Sequence, residues 1–220
     1  MILGSLTLAV PAHADYENPD VAIAAANQTL KTDPHDAKAY YNRGTAFYNK
    51  EDFKAAAEDL SKAILLEPKA PDAYFNRGLS LRRQHQNTEA ISDFTRAIQL
   101  CGTQPGYYLE RANAYIVTGQ YDNAILDATE AIRLLPADPN GYFFRGVALL
   151  LNGEPDKALA DSVQTLQIDP DYKDAIRLLG ETLMKIEARQ RPLLSTRAYP
   201  SALTQKNIPG LPRDFRKESE

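Results

Sequence analysis

The feature that most constrains this chain is one stretch that returns at a fixed interval. Residues 39–68 read AYYNRGTAFYNKEDFKAAAEDLSKAILLEP, and the same skeleton recurs from Ala73, Gly106 and Gly141. Superposed on Tyr40, Tyr74, Tyr108 and Tyr142, each step is 34 residues. Self-similarity at that period marks an array of helix pairs, in which no unit buries its apolar face alone and each must stack on its neighbours. The expected fold class is therefore an all-α solenoid of antiparallel helix pairs.

Four full repeats are expected at 37–70, 71–104, 105–138 and 139–172, within a solenoid spanning 15–191. First helices are expected to begin at or soon after Pro34, Pro68, Pro105 and Pro139, because a helix start has no use for the N–H that proline lacks. Gly44, Gly78, Ala112 and Gly146 on the first helices face Ala56, Ala90, Ala124 and Ala158 on the second, where the axes must come close. Phe47, Leu81, Tyr115 and Leu149, with Ile64, Ile98, Ile132 and Leu166, fall on the buried stripes. Before the first full repeat, residues 20–34 read as a second helix alone, with Ala22, Ala26 and Thr29 in the phase of Ala56, Leu60 and Ala63. After the last, residues 173–191 keep the first-helix phase at Ile176, Leu179, Gly180 and Leu183. They read as a capping helix with a polar outer side. Residues 192–220, punctuated by four prolines, read as a mobile tail with the option of folding back into the array.

A charged pattern runs inside the apolar one. Arg43, Arg77, Arg111 and Arg145 share one first-helix position, and Asp59, Asp93, Asp127 and Asp161 follow each by 16 residues. In an antiparallel pair with its turn near the midpoint these positions lie opposite one another. Each arginine brings its own aspartate, so the pattern reads as a structural ladder of bidentate ion pairs rather than as a set of ligand contacts.

The N-terminus differs. Residues 1–10 (MILGSLTLAV) are apolar, and Ala12-His13-Ala14 follows Pro11, the shape of a secretory signal with cleavage after Ala14. No Lys or Arg precedes the apolar run, which fits a true start upstream of Met1; the rival reading is a degenerate first helix. The expected location is periplasmic or secreted, or cytoplasmic if this is no signal. Ten apolar residues are too few to span a bilayer. A net charge of −4 argues against nucleic-acid binding. Cys101, the single cysteine, permits no intramolecular disulfide and reads as a buried, inert thiol.

The pattern Tyr40-x-x-Arg43-Gly44-x-x-Phe47…Phe53…Ala56…Leu60…Ala63…Pro68 resembles the tetratricopeptide repeat, and the match extends over residues 20–191. The resemblance implies a right-handed superhelix whose first helices line a concave groove for extended or helical segments of other proteins. By the family's geometry the groove residues would be Tyr41, Thr45, Tyr48 and Asn49, then Phe75, Leu79, Arg82 and Arg83. The third and fourth repeats would add Leu109, Asn113, Ile116 and Val117, then Phe143, Val147, Leu150 and Leu151, an increasingly apolar surface that needs a cover. Members that grip a carboxylate resemble Y-x-N-R with cations in the flanking first helices. Around Asn76 the supporting positions are Tyr41, Thr45, Gly106 and Glu110, so the cations of such a clamp are missing.

No enzyme is expected. His13, His35 and His85 have no ligand spacing, and neither a phosphate-binding glycine loop nor G-x-S-x-G occurs. No cofactor or metal is implied. The expected function is a non-catalytic adaptor binding a protein or peptide segment. The alternative is a carrier of a lipid or other apolar molecule at Ile116, Phe143, Val147 and Leu151, and self-association is a third option.

Overall fold

The structure, a computed structural model, describes residues 18–195. Among them are ten α-helices and no strand. The first helices of the repeats are α2 (Ala37–Asn49), α4 (Pro71–Arg83), α6 (Pro105–Val117) and α8 (Pro139–Leu151). The second helices are α3 (Phe53–Leu66), α5 (Asn87–Leu100), α7 (Tyr121–Leu134) and α9 (Pro155–Ile168). Flanking them are α1 (Pro19–Thr32) and α10 (Lys173–Ser195). α1 starts in second-helix register and α10 in first-helix register, so the array keeps its 34-residue step from end to end.

The helix ends follow from local chemistry. Proline opens α1, α4, α6, α8 and α9, where its fixed φ suits the first turn. Asn18, Asp36, Asp52 and Asp138 cap α1, α2, α3 and α8 by accepting from backbone N–H groups that lack an intrahelical partner. Each turn from first to second helix needs one left-handed residue at the same register. Gly119 and Gly153 take it freely at φ 75° and 84°, whereas Glu51 and His85 adopt φ 61° and 63° at a steric cost. His85 is thus a turn residue.

Close approach is visible at Gly78, where an added Cβ would lie 2.7 Å from Cε1 of Phe94 in the facing helix. Ala56, Ala90, Ala124 and Ala158 are completely buried. Successive first helices touch one another in an unbroken row from α2 to α10, while no two second helices are in contact. The second helices are therefore splayed, and the wall of first helices is the inner, concave side.

The arginine ladder ties this stack together. Each arginine donates from Nε and Nη2 to the two oxygens of its aspartate, at 2.5–2.9 Å. Its Nη1 reaches back to the preceding second helix: Asn27 for Arg43, Ser61 for Arg77, Thr95 for Arg111 and Thr129 for Arg145. The guanidinium also lies over the ring of Tyr40, Tyr74, Tyr108 or Tyr142 in the same helix. The aspartate side chains are 5–8% exposed and the arginines 15–25%. The hydrogen bond to the carboxylate is the main reason Arg43, Arg77 and Arg145 hold their protons even more firmly than usual.

Four expectations need correction. The capping helix does not present a polar outer face: Ile176, Leu183 and Met184 are exposed, and among the described residues no second helix covers the side on which Ile176 and Leu183 lie. The helix does not end at 191 but runs to Ser195, with Pro192 in its last turns, where its φ is compatible and a backbone hydrogen bond is forgone. Residues 192–195 of the expected tail are thus helical, and the rest of it, 196–220, lies outside the described residues, as does the expected signal at 1–14. Cys101 is half-buried rather than buried, because it caps α5 at the loop and its Sγ faces Thr103 Oγ1 at 3.6 Å.

Asp93→Ala strips Arg77 of both carboxylate bonds and is expected to cost about 2–3 kcal/mol, below the full buried-pair penalty because Arg77 keeps Ser61 and some water. Urea unfolding followed by circular dichroism measures it. Glu51→Gly and His85→Gly are each expected to stabilise the array by about 1 kcal/mol by relieving the left-handed turn, and the same titration checks them.

Candidate functional site: the concave face

The position after each aligned tyrosine, and those four, seven and eight residues on, all lie on the wall of first helices, but the wall is more closed than a groove of free side chains. Phe75 packs against Tyr107 and Phe94, with ring centroids at 4.7 and 5.7 Å. Phe143 packs likewise on Tyr172 and Phe144, at 5.1 and 5.5 Å. Phe75, Leu79, Leu109, Asn113, Ile116, Phe143, Val147 and Leu150 are all buried. This corrects the expectation that they form an exposed surface growing more apolar toward the C-terminal end. Neighbouring first helices contact each other directly, as Phe75 of α4 does on Tyr107 of α6. Of the cluster proposed to carry an apolar molecule, only Leu151 is exposed. An open cleft of about 200 Å³ lies at the other end of the array, between the starts of α2 and α4, lined by Tyr41, Pro71 and Asp72 among others.

The exposed residues fall at the C-terminal ends of the first helices, while Tyr41 and Thr45, nearer the start of α2, are half-buried. Asn49, Val117 and Leu151 are exposed, and Tyr48, Arg82 and Arg83 are half-buried. Asn49, Arg83, Val117 and Leu151 share one register, one per repeat, and so form a line across the concave face. Arg83 sits over the ring of Phe53 at 4.6 Å, and Phe53 meets Tyr48 edge-on at 5.4 Å. The arginine also interacts with the Tyr48 hydroxyl and makes a loose contact to exposed Glu51 at 3.8 Å.

A polar network runs beneath this line. Asn76 donates from Nδ2 to the hydroxyl of Tyr41 at 3.1 Å and to Thr45 Oγ1 at 3.2 Å. The Tyr107 hydroxyl donates to Asp72. Burial and the hydrogen bond to Asp72 together raise the Tyr107 phenol far above its ordinary range. Arg82 Nε lies 3.0 Å from Glu110 Oε2, and the Glu110 side chain is only 4% exposed. The two atoms are close but poorly aligned, so neither is hydrogen-bonded, and Asn113 Oδ1, one turn along α6, is also buried without a donor. Burial pushes the Glu110 carboxyl above the usual carboxylate range, against the pull of Arg82. Sequence reasoning placed Arg82 on the groove but missed its counter-ion. Glu110 follows Arg82 by 28 residues, six short of a full repeat, on the adjacent first helix, a spacing that does not recur and so gave no signal. A ligand's carboxylate meets an unfavourable field here, since the clamp asparagine is already engaged and Glu110 stands where a cation would be needed.

This arrangement offers shape, aromatic faces and charge rather than a reaction centre. Among the described residues no group of three or more His, Cys, Asp or Glu converges as a metal site would, and no helix is long and apolar enough to cross a membrane.

Ten helices in one 34-residue register, with a concave wall of first helices, define a helical-repeat solenoid. Sequence profiles described as Tetratricopeptide repeat match residues 12–74, 71–103 and 109–173, and the chain belongs to that family. Among solved structures it is similar to MamA, at 25% identity over 69% of this chain and 83% of that one, with a TM-score of 0.65. It is also similar to YrrB, titled a TPR protein with an unusual peptide-binding site, at 23% identity over 72% and 82%, with a TM-score of 0.67. The first TPR of Spaghetti (RPAP3), bound to an HSP90 peptide, aligns at 21% identity over 53% and 93%, with a TM-score of 0.52. A search of curated proteins gave no match.

Arg82→Gln leaves the Glu110 carboxyl buried without a counter-charge and is expected to cost about 3 kcal/mol near neutral pH. A carboxyl whose folded pKa is raised contributes stability that is present below its unfolded value, about 4.3, and is lost as pH rises through the folded value. The deficit of Arg82→Gln should therefore shrink as the pH is lowered toward about 4.3, and Arg82→Gln with Glu110→Gln should recover most of the loss at neutral pH. Denaturant melts across pH measure both.

Proposed function

We propose that this protein is a non-catalytic interaction scaffold that takes a segment of another protein along its concave face. The observation that carries the reading is the line of accessible side chains, Asn49, Arg83, Val117 and Leu151, on an unbroken wall of first helices. A continuous wall with one wholly or partly accessible side chain per repeat suits a partner that lies across several repeats, with an acidic or aromatic part toward Tyr48 and Arg83 and apolar residues toward Val117 and Leu151. The family supports this reading, since tetratricopeptide repeats are in general non-catalytic scaffolds, and YrrB and the RPAP3 repeat are described as peptide-binding. The carrier reading loses its site, because Ile116, Phe143 and Val147 are filled core. Export through residues 1–14 belongs to the same proposal and would put the scaffold in the periplasm or outside the cell.

A photo-crosslinking residue at position 49 is expected to capture a partner from the native extract, whereas one at exposed Leu126 on the outer face is not. Tyr48→Ala with Arg83→Glu should weaken binding of the identified partner by about tenfold or more, with helical content unchanged. Equal capture at both positions would sink the reading.

A further inference from the structure

We propose that the two ends of the array are the halves of one repeat, and that the chain assembles head to tail by packing α10 of one copy against α1 of the next. This concerns the ends of the solenoid and holds or fails independently of what the concave face binds. Among the described residues α1 touches only α2, so it is a second helix with no first helix beside it. Among the same residues α10 touches only α8 and α9, so there it is a first helix with no second. Their starts keep the common register, and an α10–α1 pair would continue the solenoid with no change of geometry.

The side of α10 that lacks a neighbour is built as an interior. Leu149, in a repeat that has its second helix, is 5% exposed, whereas Leu183 at the same register is 48% exposed. Gly180 repeats Gly44, Gly78 and Gly146, yet nothing lies within 4 Å of where its Cβ would be. A glycine inside a helix is destabilising relative to alanine, and its use at this register is to let a second helix come close.

The identity of the missing helix is written in the ladder. Every arginine of the ladder answers an aspartate on its own second helix and Asn27, Ser61, Thr95 or Thr129 on the preceding one. At the next step the arginine is replaced by Leu179, and the residue in the hydroxyl register is Val163. The tyrosine that lies over the guanidinium is replaced by Ile176. A free end facing water gains nothing from these exchanges, because a solvated arginine is costless there. They suit a second helix that carries an apolar residue where the others carry aspartate. Among the described second helices only α1 does, with Ala25, which is exposed. Packing α3, α5, α7 or α9 there would bury an aspartate without its arginine. α10 is also free to continue: it has 23 residues against 13 in α8, since a pair made between copies needs no turn. Each copy offers one α10 and one α1, so the contact is heterologous and the assembly grows from both ends.

Sedimentation velocity of the full chain over a range of concentrations tests this. The wild type is expected to form a series of species in multiples of the chain mass, growing with concentration. Leu179→Arg and Ala25→Asp are each expected to weaken association by about tenfold or more, because either alone buries an unpaired charge in the contact. Circular dichroism should show both folded. An equimolar mixture of the two variants should reassemble, since the guanidinium introduced in one copy then meets the carboxylate introduced in the other, while the alternate contact keeps Leu179 against Ala25. Coverage of either end by the chain's own terminal residues cannot produce that rescue. A wild type that stays monomeric, single variants that associate like the wild type, or a mixture that fails to reassemble would each overturn the proposal.

Discussion

One guanidinium per repeat, held by a carboxylate in its own helix pair and by a hydroxyl or amide in the pair before, is the interaction on which the rest depends. Apolar stripes make helices adhere, but they tolerate sliding and rotation. A planar fork gripping both oxygens of an aspartate allows little of either. Because the third nitrogen reaches back across the boundary, the same residue sets the register within one repeat and between two. The tyrosine beneath it, the glycine or alanine beside it and the alanine opposite are the accommodations that let two helix axes come close enough for the fork to close.

That closeness governs the concave face. With first helices in direct contact, most of their inward apolar residues become core, and only the ends of those helices remain open to a partner. The partner-facing chemistry is accordingly sparse, with Tyr48, Asn49 and Arg83 near one end of the array and Val117 and Leu151 toward the other. Beneath it, the Arg82–Glu110 pair is close but imperfectly aligned, and with Asn113 Oδ1 it makes a polar fault in the wall. Such a pair contributes little net stability, and its removal by halves is costly.

The fold was largely legible because repetition amplifies weak signals. A single glycine or proline says little, but Gly44, Gly78 and Gly146 at one register say that two helices meet there. The pairing of Arg43 with Asp59 could be read for the same reason, since a spacing of 16 residues repeated four times has one geometric solution in an antiparallel pair. The site was less legible. Groove positions taken from the family's pattern gave the correct wall but not which residues stay open on it, because exposure depends on how tightly neighbouring repeats close. Contacts across a boundary, such as Asn76 with Tyr41 or Arg82 with Glu110, join different registers and so leave no repeating spacing to find.

The amino-acid sequence by itself determined the period, the helix pairs, their starts at proline and capping residues, and the partner of each ladder arginine. All of these follow from local backbone chemistry or from a spacing within one repeat. Only the tertiary structure decided which inward side chains are core and which are surface, where Arg82 finds its counter-charge, and that α10 extends to Ser195 with an uncovered interior face. Those outcomes depend on the distance between successive repeats and on what stands next to the last one, quantities set by the whole stack and carried by no single segment of it.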